Sequence, residues 1–333
     1  MPRVDVNHGA RRLEAPLGRP LLEVLRDGAV YLPSACGGRG ICGRCRLRVL
    51  DDTAVPAAAQ THLLTPEELQ AGVRVACQVR VTHDLRVEVP ADLLTVQSFA
   101  GRVQWIRPLT HDIRHVSIEL LRPRAIAFDS GQYIELVVPR AGGAPAVRRA
   151  YSIASPPEVR DRIEIIVRRV PGGVATAWIF DELAVGTPVE FGGPMGHFRL
   201  SQTRREMIWI AGGVGMSPFW SMIHHMQAAG IVRPTTYIFG AAQRRDLFFV
   251  EPLEALAAQL PWFTFVPSLA AAPAEGWSGE TGPLAEVIDR RAGQVLHREA
   301  YVCGPAGMVR AAVEVLKRKG VDDRHIFAAV SGG

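Results

Sequence analysis

The chain has 333 residues, of which 48% are hydrophobic and 21% charged, the balance of a globular protein rather than a disordered one. Its 38 Lys and Arg against 33 Asp and Glu leave a formal charge of +5, with the arginines spread along the chain; this predicts a mildly basic solvated surface and no nucleic-acid partner. No run of 18 apolar residues occurs and the first seven residues contain no apolar stretch, so neither membrane insertion nor a signal peptide is expected, and the protein reads as cytoplasmic.

In chain order, three segments are expected: residues 1–93, 98–202 and 203–333. The first reads as a small α+β unit. Alternation in Arg3–Val6 and Arg11–Glu14 predicts a hairpin about His8 and Gly9. Residues 21–25 suit a short helix, and Thr65-Pro66-Glu67-Glu68 is a capping box that starts another. Residues 73–78 and 85–89 are expected as closing strands and 90–98 as a linker. The second segment has β-branched and aromatic runs at 116–120, 133–138 and 163–167 between Pro and Gly, which predicts a small antiparallel barrel with one helix over 175–180. In the third, strands at 207–211, 236–239, 264–266 and 300–303 alternate with helices from 218, at 253–260 and at 308–317. That alternation predicts a parallel sheet covered on both faces. Residues 270–275 read as a loop.

Three of the five cysteines fall within ten residues, as Cys36-x5-Cys42-x2-Cys45, with Cys77 as a distant fourth. A [2Fe–2S] cluster takes four thiolates, two per iron. Gly37, Gly38, Gly40 and Gly43 let backbone N–H groups approach the negative cluster. Structural zinc is the rival, but zinc modules show two paired arms, whereas here a triple faces one lone cysteine. The segment resembles plant-type [2Fe–2S] ferredoxin domains, which implies a β-grasp fold. The five-residue gap after Cys36, against four in the plant pattern, is similar to adrenodoxin-like ferredoxins and to the ferredoxin domain of sodium-translocating NADH:quinone reductases.

Arg149-Ala150-Tyr151-Ser152 has the residue types a flavin needs: a planar cation for the pyrophosphate, an aromatic ring to stack, and a small hydroxyl for N5. It matches the Arg-x-Tyr-Ser/Thr motif of ferredoxin-reductase flavin domains, preceded by Phe128-Asp129-Ser130-Gly131-Gln132-Tyr133 with Ser130 where those have Pro. Ile166, Val167 and Arg168, then Gly173, Val174, Ala175 and Thr176, resemble the second flavin segment of that family, the latter four as an anion-binding helix N-terminus. Downstream, Gly212-Gly213-Val214-Gly215-Met216-Ser217-Pro218 follows a buried strand and opens a helix, geometry that suits a pyrophosphate. It matches the Gly-Gly-x-Gly-x-(Ser/Thr)-Pro of the same family, as Cys303-Gly304-Pro305, followed by Met308, matches its Cys-Gly-Pro strand end. The resemblance places Ser152 at the flavin N5 and Cys303 at the nicotinamide C4. It also sets Gly240 and Arg244 in the segment that meets the adenine ribose, with NADH favoured over NADPH. No carboxylate follows Asp323, unlike the usual C-terminus of relatives, and Phe327 is expected as a strand core residue.

The order of the three modules resembles the reductase components of bacterial multicomponent oxygenases. The resemblance implies a multidomain α+β and α/β protein: a β-grasp ferredoxin, an antiparallel β-barrel flavin domain and a parallel-sheet nicotinamide domain. The implied electron path runs from NADH to FAD to [2Fe–2S] to a terminal oxygenase or its separate ferredoxin, and the chain is expected to be a monomer. Two other readings stay open: a reductase of a quinone or a corrinoid protein, and a non-catalytic iron–sulfur redox sensor. Arg39, Arg44, Arg46 and Arg48 read as a solvated face, with a docking rim as the alternative.

Overall fold

A computed structural model describes residues 1–34, 36–51, 62–94, 96–140, 142, 146–271, 276–293 and 295–331. The first sheet has β1 (Arg3–Val6), β2 (Arg11–Glu14), β3 (Arg46–Val49), β4 (Val73–Val75) and β5 (Leu85–Glu88), in the order β2-β1-β5-β3-β4. The expected hairpin is β1–β2, antiparallel, while β1 and β5 run parallel. Period-two alternation sends Val4, Val6, Leu47 and Val49 inward and leaves Arg46 and Arg48 exposed. Helix α1 (Leu21–Asp27) adds Leu21, Leu22, Val24 and Leu25 to that core. Helix α2 (Pro66–Gln70) starts at the full capping box: Thr65 accepts from Glu68 N–H and the Glu68 carboxylate accepts from Thr65 N–H.

Two expectations need correction. The strand expected over 73–78 stops at Val75, and Ala76–Gln78 forms a 3-10 turn because Ala76 N–H bonds the Cys45 carbonyl, which carries Cys77 into the interior. The linker expected over 90–98 is partly structured: Ala91–Leu94 is a 3-10 turn with Leu93 buried in the core, and the next strand begins at Gln97. An apolar side chain with a core within reach outweighs the loop-like composition around it.

The second sheet comprises β6 (Gln97–Pro108), β7 (Ile113–Arg122), β8 (Tyr133–Val138), β9 (Val147–Ser152), β10 (Arg162–Arg168) and β11 (Pro188–Met195) in the order β10-β7-β6-β11-β8-β9. The β6–β7 and β7–β10 pairs are antiparallel. Helix α3 (Val174–Asp181) follows β10.

The third sheet holds β12 (Met207–Gly212), β13 (Thr235–Ala241), β14 (Phe263–Leu269), β15 (Glu280–Thr281), β16 (Glu299–Gly304) and β17 (Ile326–Val330), in the order β15-β14-β13-β12-β16-β17 with every neighbour parallel. Every residue of β12 is buried, as a two-sided sheet requires. Met207, Trp209 and Ala211 face a core built with α4 (Met216–Ala228) and α5 (Val250–Gln259). Ile208 and Ile210 face the opposite core, built with α6 (Leu284–Arg291) and α7 (Ala306–Arg318). Helix α6 and strand β15 lie outside the elements expected from sequence, and residues 272–275 of the expected loop lie outside the described residues.

The chain packs as two compact units. One comprises Met1–Phe99, Ile134–Ala150 and Glu190–Met195; the other comprises Ala100–Tyr133, Tyr151–Val189 and Gly196–Gly333. Among the described residues, no helix is long and apolar enough to cross a membrane.

Candidate redox cofactor sites

Cys36, Cys42 and Cys45 lie in the loop between α1 and β3, and Cys77 in the turn after β4. The thiols come as two pairs: Cys42 Sγ is 3.3 Å from Cys36 Sγ, and Cys45 is hydrogen-bonded to Cys77. Burial works against the Cys36 thiolate, but hydrogen bonds from the Ile41 backbone, the Cys42 thiol and the Cys42 and Gly38 backbones outweigh it and bring the pKa to about 7. Cys77 falls to about 6, chiefly through its bond from Cys45, with Gln78 and the Gly40 backbone helping against burial. In return Cys45 is pushed well up by its bond to Cys77 and by burial, and burial raises Cys42. Gly40 has φ +74°, and a Cβ there would stand 2.3 Å from Gln78 Nε2. Ser34 Oγ, buried two residues before Cys36, has no hydrogen-bond partner among the described residues.

These features fit a [2Fe–2S] cluster: two thiol pairs, backbone donors already aimed at sulfur, and a buried hydroxyl left for one more acceptor. A single zinc requires three or four ligands converging on one point, and the described residues contain no such group. All five cysteines are free of disulfides.

Strand β9 carries Arg149, Ala150, Tyr151 and Ser152 at the end of its sheet, and all six of its residues are only half-buried. Arg149 donates from Nη1 to the Arg148 carbonyl. The same guanidinium lies against the cluster loop: a Cβ on Gly37, which has φ +66°, would be 2.1 Å from Arg149 Nη1. Beneath this strand Glu135 on β8 is 1% exposed; burial pushes its carboxyl up against the pull of Arg26, Arg148 and Arg149.

Ile166 and Val167 are buried in β10, whereas Arg168 ends that strand exposed and donates from Nε to Asp112 at 2.6 Å. Burial raises the Asp112 carboxyl, but the bonds from Arg168 and Thr110 win and keep it ionised. Arg168 Nη1 also approaches the glycine loop, 3.8 Å from where a Gly213 Cβ would sit. At the start of α3, Gly173 is the N-cap and no side chain caps the helix, so the N–H groups of Val174 and Ala175 are placed for an anion. Thr176 is committed elsewhere: its hydroxyl accepts from Val170 N–H and bonds the Gly173 and Val170 carbonyls, shaping the turn.

On the third sheet, register aligns Gly212 with Gly240, and Ala211 with Cys303. Gly212, Gly240 and Cys303-Gly304 thus meet at the carboxyl ends of three adjacent strands, where open parallel sheets bind ligands. Cys303 is 2% exposed. Met308 fills the space a side chain at Gly212 or Gly304 would need, its Sδ and Cε being 2.6 and 2.7 Å from the respective Cβ positions. Pro305 is the N-cap of α7. Met216, Ser217 and Pro218 are buried, with Met216 Sδ accepting from Tyr237 and Ser217 donating to the Val214 carbonyl. A ligand here meets their backbone, not their side chains. Arg244 donates to the Gly276 carbonyl.

Gly215 fits only because it lacks a side chain: its Cβ would lie 2.2 Å from the Cys303 carbonyl oxygen. Gly215→Ala is expected to push the loop off β16 and raise the KM for NADH about tenfold or more, because losing one backbone hydrogen bond to a charged ligand costs about 1.5 kcal/mol or more. Steady-state kinetics with flavin content held equal would check it; an unchanged KM counts against the loop as the pyrophosphate seat.

Asp112 and Glu135 are absent from the sequence-derived site. Asp112 lies 56 residues from its partner Arg168, and nothing local to either position marks the pair.

Comparison with known proteins identifies the domains. Residues 4–82 match the 2Fe-2S iron-sulfur cluster binding domain, 101–200 the oxidoreductase FAD-binding domain and 209–314 the oxidoreductase NAD-binding domain. The chain is 34% identical over 330 residues to the reductase subunit of an aromatic O-demethylase from Amycolatopsis sp., covering 96% of each chain. One subunit of the Na(+)-translocating NADH-quinone reductase of Neisseria meningitidis is 30% identical to it over 374 aligned positions, 99% of this chain and 91% of that one. The crystal structure of the Amycolatopsis cytochrome P450 reductase GcoB superposes with a TM-score of 0.78 at 32% identity, covering 99% of both chains. The chain belongs to the family of oxidoreductases that join a [2Fe–2S] ferredoxin domain to FAD- and NAD-binding domains, the family of the reductase subunits of oxygenase systems.

Proposed function

We propose that this protein is an NADH-dependent reductase that passes electrons through FAD and a [2Fe–2S] cluster, one at a time, to an oxygenase component or to that system's separate ferredoxin. The observation that carries it is the contact of Arg149, in the flavin motif, with Gly37, the neighbour of cluster ligand Cys36. Electron transfer between the two cofactors needs such closeness, and a non-catalytic sensor does not. When bound, FAD supplies two-electron acceptance from NADH with single-electron release, and the cluster supplies one-electron storage.

The chain's own residues hold and orient. Arg149 offers a cation in one compact unit; in the other, the open N-terminus of α3 offers N–H donors of the kind a pyrophosphate takes, Tyr151 a ring face and Ser152 a hydroxyl. Asp112 fixes Arg168 where it borders both the flavin segment and Gly213. The backbone of residues 212–218 and the Cys303-Gly304-Pro305 strand end form the nicotinamide seat. NADH is favoured over a 2′-phosphorylated coenzyme because the 30%-identical relative from Neisseria meningitidis is an NADH-quinone reductase subunit.

An oxygenase-type acceptor is favoured over a quinone. The O-demethylase reductase aligns over 330 positions with this 333-residue chain, whereas the quinone-reductase relative needs 374. Domain limits of 1–93, 98–202 and 203–333, a monomeric state and a cytoplasmic setting, where free thiols persist, complete the proposal.

Anaerobic titration with NADH, followed in the visible spectrum, tests it. Flavin and cluster absorption should bleach together, with two equivalents of one-electron acceptor reduced per NADH. Bleaching of the flavin alone would refute the path.

A further inference from the structure

Within the loop that holds Cys36, Cys42 and Cys45, Gly37 meets Arg149. Ile41, by contrast, is 62% exposed and directly precedes Cys42. Cys36, Cys45 and Cys77 are all buried, and Cys42 alone of the four is not, so an acceptor that must come close to the cluster comes to this side.

Along the sequence of this loop the charge is of one sign. From Gly28 to Leu50 the chain contains Arg39, Arg44, Arg46 and Arg48 and no carboxylate. Arg46 is paired with Glu68 and Arg48 with Glu88. Arg39 and Arg44 are exposed and make no ion pair among the described residues. Arg39 is tied to the loop by a bond from Nε to the Cys36 carbonyl at 3.1 Å. A lone exposed aliphatic residue is ordinary on a protein surface. Ile41 is set apart by its place, beside the one partly exposed ligand thiol and flanked in sequence by two unneutralised guanidinium groups.

We propose that this face is the electron exit and that it docks an acidic protein, with an apolar socket for Ile41 and carboxylates opposite Arg39 and Arg44. The inference rests on the reductase reading above and adds the chemistry of the acceptor's surface. The transfer moves one electron from the cluster to an oxidised one-electron centre in the partner, with no bond made or broken. Two cations and one aliphatic side chain are too little to hold a membrane, which favours a protein over a lipid surface.

The test uses the holoprotein with NADH and two probe acceptors, the acidic soluble domain of cytochrome b5 and the basic cytochrome c, across a range of ionic strength. The wild-type rate should fall with salt for cytochrome b5 and rise with salt for cytochrome c. Arg39→Glu with Arg44→Glu should invert both slopes and shift the ratio of the two low-salt rates by about tenfold or more. Calorimetric titration of oxidised cytochrome b5 into the oxidised holoprotein should show Kd weakened by a similar factor. Ile41→Ser should weaken that binding about threefold, with the salt slope kept. Cluster absorption is measured first in every variant, and each rate and Kd is expressed per cluster.

Salt slopes that ignore the charge reversal, in a protein whose cluster NADH bleaches normally, would overturn the docking surface alone. A cluster that NADH does not bleach would defeat the reductase reading beneath it. Sedimentation of the wild type with phosphatidylserine vesicles, lost in the double variant while the cytochrome slopes stay put, would assign the face to a lipid surface and overturn the protein partner.

Discussion

Cys45→Ser is expected to abolish the cluster while sparing the flavin. Cys45 is 1% exposed, its carbonyl accepts the Ala76 N–H at 2.8 Å, and its thiol bonds Cys77, so it sits at the junction that brings the distant fourth cysteine to the loop. A serine oxygen is shorter, harder and far less acidic than a thiol, and iron–sulfur clusters are held by thiolates. Loss of this ligand should erase the cluster's visible absorption and its paramagnetic signal in the reduced state. Reduction of a one-electron protein acceptor should fall by about two orders of magnitude or more, while NADH-driven reduction of ferricyanide, taken directly from the flavin, should stay within about twofold. Cys303→Ala is the matched control, because Cys303 lies on β16 in the other compact unit. It should keep the full cluster spectrum. A Cys45→Ser protein with normal iron content and normal acceptor turnover would remove the basis for the assigned ligand set.

The second large effect concerns stability. Arg233 and Glu299 form a buried ion pair at 2.9 Å, with side chains 7% and 1% exposed. Glu299 also accepts from Ser201, Thr203 and Tyr301, and Arg233 donates to the Ser201 and Arg205 carbonyls. The network ties the segment before β12 to β13 and β16. Glu299→Ala leaves a guanidinium buried without its counter-charge, a loss of about 3–5 kcal/mol. The unfolding temperature of the compact unit that holds Glu299 should drop by roughly 10 °C, read by calorimetry because a multidomain chain need not melt in one step.

Burial raises the Glu299 carboxyl, but the bonds from Ser201, Arg233 and Thr203 outweigh it and hold its pKa below the ordinary glutamate value. A depressed folded pKa means the stabilisation is complete above the unfolded value and is lost as pH falls through the folded one. The wild type should therefore lose part of this transition's stability on acidification below the ordinary carboxylate range, and Glu299→Gln should lack that component. A flat difference between the two across acid pH would show that the carboxylate's charge is not what matters.

Much of this protein is readable from short stretches. The hairpin, the capping box at Thr65 and the run 207–211 came through because period-two alternation, a cap and a buried apolar run are each set by neighbours within a few residues. The cysteine triple and the glycine motifs were equally legible, because they report backbone geometry a cofactor demands. Errors fell where a distant partner decides. The strand expected over 73–78 turns at Ala76 because of a bond to Cys45, and the linker expected over 90–98 tucks Leu93 into a core made by residues far upstream.

Local sequence by itself determined the thiol count, the glycine loops and the two-sided burial of β12, for each depends on residue type and near spacing. Only the tertiary structure decided that Arg168 is held by Asp112, that Glu299 answers Arg233, and that Arg149 rests on Gly37. Pairings across 56, 66 and 112 residues leave no periodic trace in the chain. Charge and steric fit act through space, and only folding brings those groups within range of each other.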